Sequence, residues 1–319
     1  MQIHCRALVF VVVVTSAAQV PQPATEHLVS QQQPEAYSLF GRPLYRPVLP
    51  TQTKAQLDSN YAIALTNYHR DPHNAEAIIW LGRRAAYLWR YREAIEIFTE
   101  GIQKFPNDPR MYRHRGHRYI TVREFDKAIA DLEKAASLIA NRPDEIEPDG
   151  QPNRYNIPTS TLHSNIWYHL GLAYYLKGDF TNALRCYQEC LKVSTNPDML
   201  CATSDWLYMT LRRLGKTQEA TKILLPISND MHILENHAYH RRLLMYKGEL
   251  PLDALLNTAN ASDLDIATQG YGVGNWYLYN GLPQKAKEMF EKVLAGNHWA
   301  AFGYIAAEAD LKRLRESKE

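Results

Sequence analysis

The chain has 319 residues, enough for two ordinary domains or one extended repeat array, and its 45% apolar content is that of a soluble protein. A formal net charge of +2 argues against a general binder of nucleic acid or of an anionic membrane surface, since both need a strongly basic face. No nucleic-acid partner is therefore expected, and charge has to be read locally.

Arg6 precedes an apolar run at residues 7–14, and the small residues Ser16, Ala17 and Ala18 follow. A short positive region, an apolar core and a small-residue site form the layout of a secretory signal peptide. Residues 1–18 are therefore expected to direct export, to a periplasm or out of the cell, with cleavage after Ala18. The run is too short to cross a bilayer, which takes about 20 residues. A lipid anchor would need a cysteine just after it, and Cys5 comes before. No later stretch is long and apolar enough, so no integral span is expected after signal removal.

Residues 19–53 are expected to form a linker. Its first part is rich in Pro and Gln and has no helical period. From Tyr37 the character changes: Leu39, Phe40, Leu44, Tyr45 and Val48 alternate with Pro43, Pro47 and Pro50. The prolines forbid a helix, and so many apolar side chains predict an extended segment docked on the first helices.

Residues 54–319 carry a repeat. Leu57, Tyr61, Ala64 and Leu65, followed by Pro72, read as the second helix of a pair that lacks its first. Residues 75–106 show Leu81-Gly82-x2-Ala85, then Ala94-x3-Phe98 and Pro106. Residues 109–140 show Arg115-Gly116-x2-Tyr119, then Ala128-x3-Leu132. Gly82 and Gly116 are 34 residues apart, as are Ala94 and Ala128. A fixed period of this size is the mark of a helix-turn-helix repeat. Glycine inside a helix costs about 1 kcal/mol against alanine, so each glycine should mark a close helix contact. Ala94 and Ala128 are the expected small counterparts, with Phe98 and Leu132 filling the space between units. Asp108-Pro109 reads as a cap and a first-turn proline.

Gly116 to Gly171 is 55 residues, one period plus 21. The surplus falls at residues 141–162, where four prolines and a glycine forbid a regular helix. An insertion of that length is either functional or a passive surface excursion. The repeat returns at 164–195 with Leu170-Gly171-x2-Tyr174 and Ala183-x3-Tyr187. It weakens around Leu207–Leu224 and Tyr239–Asn257, and recovers at 271–298 with Gly274-x2-Tyr277 and Ala286-x3-Phe290. A last helix with Trp299, Phe302, Ile305 and Leu314 ends in a charged tail that suits a solubilising cap.

These motifs resemble the tetratricopeptide repeat (TPR) pattern. The resemblance implies an all-α fold, a right-handed superhelical solenoid of antiparallel helix pairs with a C-terminal capping helix. It also implies a scaffold that binds a protein or peptide partner on its concave face. The family's groove positions fall here on Arg83, Arg113, His117, Tyr168 and Leu172, with Tyr175 one turn on. Arginine forks recognise carboxylate and phosphate, so an anionic segment is the expected ligand. Binding should weaken with salt, and with rising pH if His117 must be protonated. Arg115 replaces the family's usual leucine and is expected to be paired in the structure. The Lys and Asn set with which some TPR domains clamp a terminal carboxylate is largely absent.

Two other classes remain. An enzyme or metal protein could use the His/Arg cluster at 110–118 under the insertion, and a purely structural assembly module needs neither. His114, His117, His163 and His169 lack the HExxH pattern or a tight carboxylate partner, so no metal and no cofactor are expected. Gly270, Gly272 and Gly274 lie where a helix belongs, not after a strand, and are expected to serve packing rather than phosphate. Cys186, Cys190 and Cys201 are expected to be buried free thiols. No catalytic residue is assigned.

Overall fold

A computed structural model of the chain describes residues 33–256 and 263–316. The export signal expected at 1–18, and the linker as far as residue 32, lie outside the described residues. A small hairpin opens the described chain: β1 (Ala36–Tyr37) pairs antiparallel with β2 (Pro43–Leu44). Helices follow: α1 (Thr51–Arg70), α2 (Ala75–Tyr87), α3 (Tyr91–Lys104), α4 (Pro109–Thr121), α5 (Phe125–Ile139), α6 (Leu162–Lys177) and α7 (Phe180–Val193). Then come α8 (Pro197–Arg213), α9 (Thr217–Ile223), α10 (His237–Lys247), α11 (Leu252–Leu256), α12 (Asp263–Tyr279), α13 (Pro283–Leu294) and α14 (Phe302–Glu316). Helix α1 starts at Thr51, three residues before the expected boundary. Each pair packs on itself and on the next, α2 with α3, α3 with α4, α4 with α5 and onward. The fold is an all-α helical solenoid of repeated pairs.

Local chemistry sets the helix starts. Asn74 accepts from the backbone N–H groups of Glu76 and Ala77, and Asp108 accepts from Arg110 ahead of Pro109. Thr161 and Ser164 form a reciprocal capping box, and Asn196 caps α8 in front of Pro197. The mid-helix glycines are notches. A Cβ on Gly82 would lie 2.5 Å from the Phe98 ring, and one on Gly116 2.7 Å from Leu132. The same interlock joins Gly171 to Tyr187 and Gly274 to Phe290. The bulky residue of the second helix therefore enters the notch directly. Phe98 and Leu132 do not lie only between units, as the spacing suggested, and Ala94 and Ala128 are buried a turn away. Gly270 and Gly272, on α12, face Val293 and Arg242, which is a packing role.

The turns inside the pairs need a left-handed residue. Glycine supplies it at Gly178, Gly215, Gly248 and Gly281, but Trp89 (φ 60°) and Arg123 (φ 67°) hold it in the first two full pairs. A side chain in that conformation costs roughly 1–2 kcal/mol. Here both side chains make distant contacts that offset it. Trp89 packs edge-on against Trp299, ring centres 5.3 Å apart. Arg123 donates to the Glu308 carboxylate at 2.9 Å and to the Trp299 carbonyl at 2.8 Å.

These contacts lead to the main departure from an open array. Helix α14 closes the array from within. Its residues 303–311 are all buried, so it has no solvated outer face over that length. Phe302 meets His117 of α4 and His169 of α6, Arg313 donates to the Leu176 carbonyl, and Arg213 at the end of α8 reaches Asp310. The last helix lies along the inner face formed by α4, α6, α8 and α12. The hairpin helps to hold it: Arg42 bonds the Tyr304 hydroxyl, and Trp299 donates to the Tyr45 carbonyl at 2.7 Å. The extended segment thus bridges α14 and the start of α3, where Glu35 accepts from the Arg92 N–H. It is held by polar and backbone contacts. Ala36 and Leu44 are buried, while Tyr37, Phe40, Tyr45 and Val48 stay exposed, contrary to the expectation that its apolar side chains would be covered. Among the described residues no helix is long and apolar enough to cross a membrane.

Candidate functional site

The basic stretch of α4 divides by helical position. Arg115 faces α5 and makes a two-pronged bond to Asp131, both arms 2.7 Å long. Arg110 is held by Asp108 at 2.7 Å and by Glu76. Both are structural pairs. On another side of the helix Arg113, His114, His117 and Arg118 line a cavity of about 280 Å³ between α2, α4 and α6. Arg83 and Tyr87 of α2 and Asn165 and His169 of α6 complete its helical walls.

The loop between α5 and α6, which is the 21-residue surplus, forms the remaining wall. Its two arms meet where the N–H of Leu162 donates to Glu145 O and that of Glu147 to Ser160 O. Arg83 and Arg84 then hold its crossing strand, donating to the Pro148 and Gly150 carbonyls at 2.7 Å each. Gly150 lies so close to Tyr87 that any Cβ would collide with the phenol. The insertion is a strap fastened over the cavity.

The strap brings acid to the arginines. Glu147 pairs with Arg113 at 3.1 Å, and both are buried. Asn165 donates to the other oxygen of Glu147 at 3.2 Å. Arg113 also contacts Nδ1 of His114 at 2.9 Å. A guanidinium only donates, so Nδ1 accepts and His114 carries its proton on Nε2. The Asn165 carbonyl likewise fixes the proton of His169 on Nδ1, at 2.6 Å. Burial first, and then the neighbouring arginines, hold His114, His117 and His169 well below the ordinary histidine pKa. His117 is therefore a neutral ring at physiological pH, its centre 4.3 Å from that of His169. This corrects the expectation that its protonation could set the pH dependence of binding.

The structure brings Arg83, Arg113 and His117 together in this cavity. It does not bring Tyr168, Leu172 and Tyr175 there. All three are buried. Tyr168 shares a hydroxyl contact with Tyr239 at 3.0 Å, and the Tyr175 hydroxyl shares one with Tyr271 at 2.7 Å and accepts from Asn275 at 3.0 Å. Later helices of the same chain cover the stretch of inner face that repeat position assigned to them. Sequence reasoning missed Glu147 and Asp149, and placed Arg118 only within the His/Arg cluster at 110–118. The signal was present: the acidic run of the insertion complements the basic run of α4, although only the fold shows that they meet.

Among the described residues no group of histidine, cysteine and carboxylate side chains is set to hold a metal. Cys186, Cys190 and Cys201 are buried free thiols. Burial pushes each thiol up to about 12, which leaves it unreactive.

Residues 164–196, the pair in which Gly171 and Tyr187 interlock, match the model of the tetratricopeptide repeat family. BBSome complex member BBS4 of Bos taurus is similar at 22% identity over 188 residues, 59% of this chain and 32% of that protein. The match thus spans about a third of the length of this curated relative. Among solved structures, YrrB, described as a TPR protein with an unusual peptide-binding site, aligns over 80% of this chain and 97% of its own, with 15% identity and a TM-score of 0.42. A tetratricopeptide repeat protein from Parabacteroides merdae aligns over 81% and 93%, with 14% identity and a TM-score of 0.47.

Proposed function

We propose that this chain is a non-enzymatic, exported scaffold that binds a protein or peptide partner through an anionic group entering the cavity between α2, α4 and α6. The observation that supports this best is the convergence of Arg83, Arg113 and Arg118 on one small space under a fastened strap. With α14 lying along the inner face from α6 onward, the partner is confined to the N-terminal part of that face. Arg113 already holds a carboxylate, that of Glu147. That pair shows the chemistry these arginines take, and Arg118, which has no carboxylate partner among the described residues, is open to a partner's. Charged hydrogen bonds of this kind are strengthened where water is excluded. His117 supplies a neutral aromatic wall, so the pH dependence first attached to it is absent near neutrality.

The test is affinity capture of the partner from the exported fraction. The double variant Arg113→Ala, His117→Ala is expected to lose capture while keeping its helical circular dichroism, and capture by the parent is expected to fall as salt is raised. Full-strength capture by the variant would remove the site and leave only the scaffold. Export itself rests on the sequence of residues 1–18. N-terminal sequencing of the secreted form is expected to begin at Gln19, and a start at Met1 would remove the exported part of the proposal.

A further inference from the structure

The charges lining the cavity do not all cancel. Arg113 and Glu147 pair with each other, and Arg83 is occupied by Trp80 and a strap carbonyl. That leaves one cation and one carboxylate. The Arg118 guanidinium lies over the Tyr91 ring at 5.5 Å and has no carboxylate partner among the described residues. Asp149 of the strap has a fully buried oxygen, Oδ2, that no donor among the described residues reaches. Both groups line the same cavity. Each unpaired group bears the mark of its isolation. Burial pulls the Arg118 pKa down to about 10, even with the Tyr91 and Tyr87 phenols beside it. Burial, followed by Glu235, pushes Asp149 up, although Arg83 works the other way. Both residues are half-buried; an unpaired charge partly withdrawn from water is costly, and a charged partner relieves that cost.

We infer that the group entering this cavity is a zwitterion of amino-acid size, its carboxylate bound by Arg118 and its amine by Asp149. This rests on the proposed docking at the cavity and names the chemistry of what docks. A simple acidic group satisfies Arg118 but leaves Asp149 unpaired and adds a second anion beside it. A simple amine does the reverse. Only a ligand that carries both charges on one short chain neutralises the site. A volume of about 280 Å³ holds one such residue, and falls just below the roughly 300–1,000 Å³ of sites for larger small molecules. The same chemistry comes from a free amino acid or from a C-terminal lysine of a partner.

Isothermal titration of the full chain with ω-amino acids measures this directly. Glycine, 4-aminobutanoate and 6-aminohexanoate act as rulers of increasing length, with hexanoate and hexylamine as single-charge controls and a peptide ending in lysine as the second source. One member of the zwitterion series, or the peptide, is expected to bind at least about tenfold tighter than either control, the loss from leaving one charged hydrogen bond unmade. Asp149→Asn, on the strap and outside any helix, is expected to erase the advantage over hexanoate. Arg118→Met is expected to erase the advantage over hexylamine. Binding by the free amino acids identifies a small-molecule site, and binding by the peptide alone identifies a chain terminus. Equal binding of hexanoate and the best zwitterion overturns the inference but keeps the anionic reading. Failure of every probe and of the peptide also overturns it. If partner capture then still depends on Arg113 and His117, the docking proposal stands without it. If capture does not depend on them, both fall.

Discussion

Replacing Asp310 with alanine is expected to lower the unfolding free energy by about 3–5 kcal/mol, the usual cost of removing one partner from a buried ion pair. Asp310 is fully buried on α14. Its carboxylate accepts from Arg213 and Arg313 at 2.7 Å each and from the Tyr271 hydroxyl at 3.0 Å. Alanine leaves the Arg213 guanidinium, at the end of α8, facing a site without charge, and loosens the seat of α14 in the solenoid. The effect depends on pH. Burial alone would raise the carboxyl pKa, but Arg213 and Arg313 outweigh it and hold the group below the ordinary aspartate value. A folded pKa below the unfolded one, about 3.9, gives stability that is complete above the unfolded value and is lost as pH falls through the folded one. The gap between parent and variant is therefore full at neutral pH and closes in acid. Urea denaturation of both proteins at neutral pH and at several acid values measures it. Equal stability at neutral pH, or a gap that widens in acid, would refute the role given to Asp310.

Adding one methyl group at Gly303 is the second large effect. A Cβ there would stand 2.3 Å from the carbonyl oxygen of Ala267 and 2.8 Å from its carbonyl carbon. Both atoms are backbone of α12, so no side-chain rotation can clear them. Helix α14 must move away from α12, and with it move Phe302 against His117 and Glu308 against Arg123. Overpacking of this kind costs about 1–3 kcal/mol, which in a chain of this size lowers Tm by roughly 2–4 °C for each kcal/mol. Gly116→Ala is the comparison. Its Cβ would lie 2.7 Å from Leu132 Cγ, the branch point of a side chain that can turn, so the cost should be smaller. If thermal unfolding of Gly303→Ala matches the parent, or Gly116→Ala costs as much, the backbone contact is not what fixes α14.

The units of this protein were legible in its residue spacing. A period of 34 residues marked the pairs, Asp108-Pro109 marked a helix start, and the glycines marked close helix contacts. The surplus at 141–162 stood out because the period around it was regular. Arg115, standing where the pattern has an apolar residue, was legible as a paired group, though not its partner. All of these depend on neighbours in one helix or in the next pair, and such contacts recur at the same spacing in each unit. Contacts between distant parts of the chain follow no such spacing, and only the fold shows them. Arg123 meets Glu308 across 185 residues and Trp299 meets Tyr45 across 254, and no repeat spacing encodes either contact. Because α10, α12 and α14 return over the inner face, Tyr168, Leu172 and Tyr175 became core, although their repeat positions match those of groove residues. Because the strap brings Glu147 to Arg113 while Arg118 and Asp149 stay unpaired, the cavity holds both signs of charge. Burial then makes His117 a neutral wall, since the free energy of a charge depends on what surrounds it in space and not on its neighbours along the chain.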